Sequence, residues 1–287
     1  MGLRIGLGLG LNKQGLASFL PPPSDDFIIE VNTALAGVSN SDQFQFTGAV
    51  GEYDVEAYQN GDLVATFENL VNQQTITLPS AGIYELRCII KPAGFNKMTF
   101  NNSGDRLKLL KILNWGLYGV NEPNQLNAFQ GCQNNTEIAG NGAWFDVVAN
   151  GLEMFRNNNL TSLPSDMKFP SLTSAFRMFR DNSLTSLPSD MTLPNLTNGR
   201  EMFRENSLTS LPSGMELPLL NNGNSMFLGS TINTARYSQL LIDLEANNNN
   251  NNVNFHGGNS QYNAQGEIAR NALIARGWTI TDGGLEN

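Results

Sequence analysis

Residues 154–225 read MFRNNNLTSLPSDMKFPSLTSAFR, MFRDNSLTSLPSDMTLPNLTNGRE and MFRENSLTSLPSGMELPLLNNGNS, three blocks of 24 residues, and Met226-Phe227 opens a fourth. The period has no insertion between Met154 and Met226. Leu160, Leu184 and Leu208 hold equivalent places, as do Leu163, Leu187 and Leu211, and Pro164, Pro188 and Pro212. A unit this short cannot bury its own Met, Phe and Leu side chains, but stacked units line them into one continuous core, so the period predicts a solenoid. The LTSL runs are expected to be short strands about 4.8 Å apart. Asn158, Asn182 and Asn206 recur in step, and a column of amides is expected to hydrogen-bond between coils.

Downstream, Tyr237–Glu245 (YSQLLIDLE) reads as an amphipathic helix, residues 247–252 as an asparagine loop, and Ala264–Arg276 as a second helix with Ile268, Ala272 and Leu273 on one face. Gly277 is placed to stop that helix, and residues 278–284 (WTITDGG) to return as a short strand and turn. Upstream, Asp105–Trp115 (DRLKLLKILNW) and Asn127–Cys132 (NAFQGC) look like a lead-in segment and a first, divergent coil. Phe129 and Phe155 are 26 residues apart instead of 24, and Asn141–Val148 is irregular, so a protruding loop or extra turn is expected there.

These repeats, LTSLP strands alternating with Met-Phe turns, resemble the BspA-like leucine-rich repeat proteins. With the C-terminal segment NSQYNAQGEIARNALIARGWTITDGG, the resemblance is to the type encoded by Bacteroidales and their bacteriophages. It covers roughly half of the chain, and it implies a leucine-rich-repeat fold with atypical terminal coils.

Between Phe27 and about Phe100 the apolar residues alternate: Phe44, Phe46; Tyr53, Val55, Ala57; Leu63, Ala65, Phe67; Ile76, Leu78; Tyr84, Leu86, Cys88, Ile90. Asn60-Gly61-Asp62 reads as a tight hairpin and Pro79-Ser80-Ala81-Gly82 as a turn, which together predict a small antiparallel, Ig-like sandwich of about seven strands. Cys88 falls on the core face of this pattern, as a buried thiol and not a nucleophile.

The chain starts MGLRIGLGLGL. Leu3, Ile5, Leu7, Leu9 and Leu11 share one side of an extended segment and Arg4, Gly6, Gly8 and Gly10 the other. A short terminal strand cannot bury itself, so these residues are candidates for partner docking by strand addition, pairing within the chain's own domain being the alternative. Pro21-Pro22-Pro23 and Ser24-Asp25-Asp26 form a stiff polar break. Glycine interrupts every apolar position of the first eleven residues, which makes a poor secretory signal.

Composition narrows the chemistry. The 287 residues carry 17 Lys+Arg against 26 Asp+Glu, a net charge of −9, with no basic run for a phosphate backbone. Two cysteines and one histidine leave no disulfide framework or zinc ligand set. His256 reads as a loop or packing residue, GLGLG lacks the preceding strand of a dinucleotide fingerprint, and the carboxylates Asp166, Asp190 and Asp282 are too sparse for an identifiable calcium loop. No catalytic residue, cofactor or metal is assigned; a glycan-active enzyme needs a carboxylate pair in a cleft that the sequence does not place. The columns Arg156, Arg180, Arg204 and Thr161, Thr185, Thr209 are candidate surface ligand-binding residues. The competing expectation is that the arginines are neutralised by Asp181 and Glu205 beside them.

The expected fold class is a β-rich multidomain chain: an N-terminal strand arm over 1–20, a linker over 21–26, a β-sandwich over 27–101, a leucine-rich-repeat solenoid with its lead-in over 102–236, and a C-terminal α/β cap over 237–287. The expected function is that of a non-enzymatic bacteriophage virion structural protein. It would be an oligomeric head or tail fibre or appendage, made in the host cytoplasm and joined to capsid, tail or fibre-adaptor proteins by its arm. It would be a homo-oligomer whose solenoid faces a host-surface glycan or protein, with no nucleic acid and no membrane insertion. The alternative is an exported bacterial surface adhesin.

Overall fold

Alternating apolar residues in the first part of the chain put one face of each strand in a core, as period two requires. The computed structural model describes residues 25–140 and 142–286; Leu3, Ile5, Leu7, Leu9 and Leu11 lie outside the described residues. Eleven strands and two helices are assigned among them: β1 (Phe27–Asn32), β2 (Gln43–Gln45), β3 (Val50–Gln59), β4 (Asp62–Val71), β5 (Thr75–Thr77), β6 (Ile83–Lys97), β7 (Leu109–Asn114), β8 (Glu137–Ile138), β9 (Asn222–Gly223), α1 (Thr234–Asn247), β10 (Asn254–His256), α2 (Ala264–Ala275) and β11 (Thr279–Thr281). The molecule is β-rich, with mixed sheets and few helices.

Six strands form one sheet in the order β4-β3-β6-β1-β7-β8, antiparallel except for the parallel pair β7–β8, and β2 and β5 form a separate antiparallel pair. Phe44, Phe46, Tyr53, Phe95 and Phe27 fill the space beneath the large sheet, with Tyr53 stacked on Phe95 at 4.5 Å. The β3–β4 hairpin turns through Asn60 and Gly61, both at positive φ (54° and 90°), as its Asn-Gly sequence predicts. Residues 27–101 hold six strands where about seven are expected. The remaining strand of the sheet's antiparallel part is β7, which pairs with β1 from within the expected lead-in segment.

Beyond β8 backbone hydrogen bonds join each repeat block to the next. The N–H groups of Gly151, Glu153, Phe155 and Asn157 donate to the carbonyls of Ser174, Phe176, Met178 and Arg180 in the next coil. The same pattern recurs from Ala175, Arg177, Phe179 and Asp181, and from Gly199, Glu201, Phe203 and Glu205. Parallel bridges join Asn124, Asn150, Ser174, Asn198 and Asn222 in succession. Phe129, Phe155, Phe179, Phe203 and Phe227 stack face to face with centroids 5.5–5.8 Å apart, so the 26-residue spacing between the first two is absorbed without loss of register. The surplus is taken up near Ala143–Asp146, a single 3₁₀ turn that folds inward: Trp144 and Phe145 are buried against Trp115. The extra turn is thus present but its aromatic side chains point inward instead of protruding, because they have an apolar wall to meet.

The LTSL runs are not ladder strands. Their connections are sparse, Ser183 N to Leu160 O at 2.9 Å and Ser207 N to Leu184 O at 3.0 Å, and Leu160 and Leu184 N–H groups go to the side-chain oxygens of Asn182 and Asn206. The regular ladder lies instead at the Met-Phe turns. Every coil there places two residues in the left-handed region: Glu153, Arg177 and Glu201 (φ 52°, 57° and 56°), and Asn157, Asp181 and Glu205 (φ 57°, 58° and 56°).

At the far end, β9, β10 and β11 form a parallel three-stranded sheet that closes the stack, and Phe227 N donates to His256 O. Asn233 and Asn263 cap the two helices with side-chain oxygens. Gly277 at φ 83° follows α2 as expected. The buried face of α2, however, is Gly266, Ala269 and Leu273, while Ile268 is 74% exposed. A Cβ on Gly266 would come within 2.9 Å of Ser238 Oγ, so close approach to α1 selects the small-residue face.

Candidate functional site

The two halves of the chain meet at Trp115. Its ring contacts Phe27 of the sheet at 5.7 Å, Trp144 at 4.7 Å and Phe129 at 5.6 Å, and its Nε1 donates to Ala139 O at 2.8 Å. Phe100 and Asn102 N–H groups donate to Ala128 and Gln130 carbonyls, so the ladder of the stack starts on the segment that leaves β6. The apolar core is continuous through this junction.

Polar residues along the Met-Phe turns form one charged network. Glu153, Arg177 and Glu201 occupy the same place in successive coils with alternating sign. Arg177 bridges the two acids, Nη1 to Glu153 Oε1 at 3.0 Å and Nε to Glu201 Oε2 at 3.0 Å. Glu201 is 3% exposed and also pairs with Arg180, with Arg200 at 3.3 Å and with Arg204 at 3.4 Å. Burial pushes its carboxyl up, but the hydrogen bond from Arg177 and the charges of Arg177, Arg180 and Arg204 outweigh that, holding it below its ordinary value. Arg156 pairs with Glu153 and Asp181, Arg180 also with Asp181, and Arg204 with Glu205. All three arginines of the expected column are therefore engaged by acids of their own or neighbouring coils.

Thr161, Thr185 and Thr209 are exposed in the extended runs beyond the buried asparagines. No hydrogen bond joins them to the arginine column, and Thr209 Oγ1 donates to Thr185 O at 3.4 Å. Thr161 alone also lines a groove of about 680 Å³, with Thr136, Glu137, Ser162, Ser165 and Asp166. The structure thus divides the six candidate ligand residues between an ion-paired strip and an open hydroxyl row.

Asn158, Asn182 and Asn206 do span coils, through backbone groups: Asn182 Nδ2 donates to Phe155 O at 2.8 Å and Phe179 O at 3.1 Å, and Asn206 Nδ2 to Phe179 O at 2.9 Å. Ser230 takes the equivalent place in the last coil, where its Oγ accepts from Leu208 N and donates to Asn206 O.

No family model, curated protein or solved structure matches the chain. Its own chemistry remains. Cys88 and Cys132 are fully buried free thiols whose pKa burial pushes well up. His256 sits on β10, its Nδ1 accepting from Gly258 N at 3.0 Å; burial lowers its pKa against the opposing charge of Asp282. Asp282 itself pairs with Arg270 at 2.8 Å and accepts from Tyr237 Oη at 3.0 Å. Among the described residues no three His, Cys, Asp or Glu side chains form a metal-holding group, and no helix is long and apolar enough to cross a membrane.

The reading of residues alone missed the Glu153–Arg177–Glu201 ladder, although its signal is the alternation of sign at 24-residue spacing. It also missed the pair Asp105 and Lys108, both fully buried. Asp105 accepts from the N–H groups of Val38, Ser39 and Gln45, and Lys108 Nζ donates to Ser39, Asn40 and Gln43. Together they pin the segment between β1 and β2.

Proposed function

We propose that the chain is a structural appendage of a bacteriophage particle. In this reading a leucine-rich-repeat solenoid is carried on an Ig-like sandwich, closed by the C-terminal α/β cap and anchored by the arm over residues 1–20. The observation that carries it is the ladder of backbone hydrogen bonds from Phe100 and Asn102 through the successive coils to His256, with the phenylalanine stack beneath it. Such an arrangement transmits position from one end of the chain to the other, because each coil is fixed by both neighbours. The charges along it satisfy one another, so the strip serves the stack more than a ligand. That favours a rigid spacer or display element over an enzyme.

The solenoid faces outward in this proposal, and the exposed threonine row is its open surface toward a host glycan or protein. Closed homo-oligomeric symmetry would multiply a weak contact of that kind. Mass spectrometry of purified particles tests the assignment: the chain should co-purify at a fixed stoichiometry with capsid or tail proteins, and deletion of residues 1–20 should leave a folded chain that fails to join particles. Finding the chain on the surface of cells that release no particles supports an exported adhesin and overturns the proposal.

A further inference from the structure

One repeat block departs from the others on its LTSL side. Leu187 and Leu211 are 8% and 5% exposed, yet Leu163, their equivalent one block earlier, is only partly buried. The cause is the segment in front of it. Residues 136–140 are committed to the sheet: Ile138 pairs with Ile112, Ala139 N donates to Ile112 O, and Ala139 O accepts from Trp115 Nε1. Asn159 N still reaches Asn135 O at 3.0 Å, but beyond it no backbone hydrogen bond joins residues 136–140 to residues 161–166 among the described residues. In the last blocks the same run is tied, Thr209 N to Thr185 O at 3.0 Å and Asn233 N to Thr209 O at 2.9 Å. The two segments therefore part, and the groove of about 680 Å³ opens between them. That volume lies within the range of about 300–1,000 Å³ that small-ligand sites span.

The floor of the groove is apolar, through Ile138 and Leu163, and its rims are polar. Thr136 stands on one wall and Thr161, Ser162 and Ser165 on the other, and each wall brings one carboxylate, Glu137 and Asp166. Asp166 reaches across to the facing wall. A Cβ on Gly140 would stand 2.1 Å from Asp166 Oδ1, so glycine at 140 is what seats that carboxylate there. No base is among the described lining residues, and Lys111, 3.9 Å from Glu137, is shared with Glu30.

We infer that this groove binds a short oligosaccharide that carries no acidic group. This rests on the reading of the exposed threonine row as a face toward a host glycan, and it places the contact at one end of that row. A sugar offers apolar C–H faces, which match the floor, and hydroxyls that donate and accept, which match the hydroxyl and carboxylate rims. Carboxylates on both rims and no lining base select against sulfate, uronate or any other anionic sugar. Glu137 and Asp166 are both exposed, without the apolar burial that keeps the acid of a glycoside hydrolase protonated, so the inference is of binding and not of hydrolysis. Thr185, Ser186, Ser189 and Asp190 repeat the same side chains one block on and are exposed too, but they stand beside the buried Leu187. The opened floor, more than the residue types, makes the site.

The test titrates the full chain calorimetrically with maltotriose, mannotriose and chitotriose as neutral probes, the glucosamine trimer as a basic one and the galacturonic acid trimer as an acidic one. The expected result is saturable binding of a neutral or basic trimer and none of the acidic one. Asp166→Asn should weaken it about tenfold, as should Gly140→Ala, which displaces the end of a flexible side chain and leaves the fold in place. Ser162→Trp should fill the groove and abolish binding at unchanged melting temperature, and it decides the matter alone if Asp166→Asn destabilises the chain. Asp190→Asn and Ser186→Trp, the same changes one block on, should leave binding intact. Binding that survives Ser162→Trp, an equal loss in both blocks, a preference for the acidic trimer, or no binding of any trimer in the millimolar range overturns the inference. Particle co-purification is scored separately: a chain that joins particles but binds no sugar leaves the appendage reading standing, and one that binds sugar but is absent from particles leaves the groove standing.

Discussion

Glu201→Gln removes one negative charge from the centre of the repeat stack while keeping the side chain's size and one acceptor oxygen. Four guanidiniums converge on this carboxylate, those of Arg177, Arg180, Arg200 and Arg204. Breaking a fully buried ion pair costs about 3–5 kcal/mol, because the partner is left unpaired, whereas an exposed pair is worth about 0–1 kcal/mol. The carboxylate here is almost fully buried, but the arginines keep between 16% and 46% of their side-chain exposure and regain water when released. The expected loss is therefore intermediate, about 2–3 kcal/mol, or roughly 3–5 °C in melting temperature for a chain of this size. The sign with pH follows from the direction of the shift. The folded carboxyl titrates below its ordinary 4.5, so its stabilisation is complete above about 4.5 and is lost as pH falls through the folded value. Thermal unfolding of both proteins at pH 7 and at successively lower pH should show a gap that closes as pH falls through the folded carboxyl's lowered value. A gap under about 0.5 kcal/mol at pH 7, or one that persists undiminished in acid, refutes the view that Glu201 holds the coils in register.

Asn182→Ala strips Phe155 O, Phe179 O and Leu160 N of a partner and should cost about 3 kcal/mol in urea unfolding; Asn182→Ser should recover part of this, since Ser230 performs the same task in the last coil. At Glu205, left-handed at φ 56° and held by an exposed pair with Arg204, glycine should be more stable than alanine by about 1 kcal/mol, as measured by paired melts of the two variants. His256 should make stability fall with acid. Its folded pKa lies below 6.5, so the unfolded chain takes up the proton first as pH drops through that window. His256→Asn should flatten the slope of melting temperature between pH 7 and 5.5, and an unchanged slope would assign it to other groups. Lys108→Met removes the cation beside buried Asp105 and the donor to the carbonyls of Ser39, Asn40 and Gln43, and a loss of about 3–5 kcal/mol in chemical unfolding is expected.

Much of the local structure was legible in the residues. The 24-residue period placed Phe155, Phe179, Phe203 and Phe227 in one column, Asn60-Gly61 marked the hairpin, and Gly277 the end of α2. The LTSL runs misled because their leucine and threonine content matches strand propensity, while proline at 164, 188 and 212 and the side-chain oxygens of Asn182 and Asn206 take away regular ladder partners. The turns that do carry the ladder were hidden by their residue types. Glu153, Arg177 and Glu201 adopt a left-handed backbone that ordinarily selects Gly or Asn, and only contacts with neighbouring coils hold them there. The arginine column and two of its acids, Asp181 and Glu205, were visible, but Glu153 and Glu201, which also meet it, were not.

Periodicity is a property of neighbours along the chain, and so the sequence by itself determined which residues of the 24-residue blocks are equivalent and where the hairpin and helix stops fall. Only the tertiary structure decided which surfaces meet. It brought β7 beside β1 and Lys108 beside the carbonyls of residues 39–43, and it turned Ile268 outward because Gly266 lets α2 approach α1 more closely. Those outcomes depend on burial and charge balance between segments far apart in the chain, quantities that no local pattern contains until the core has closed.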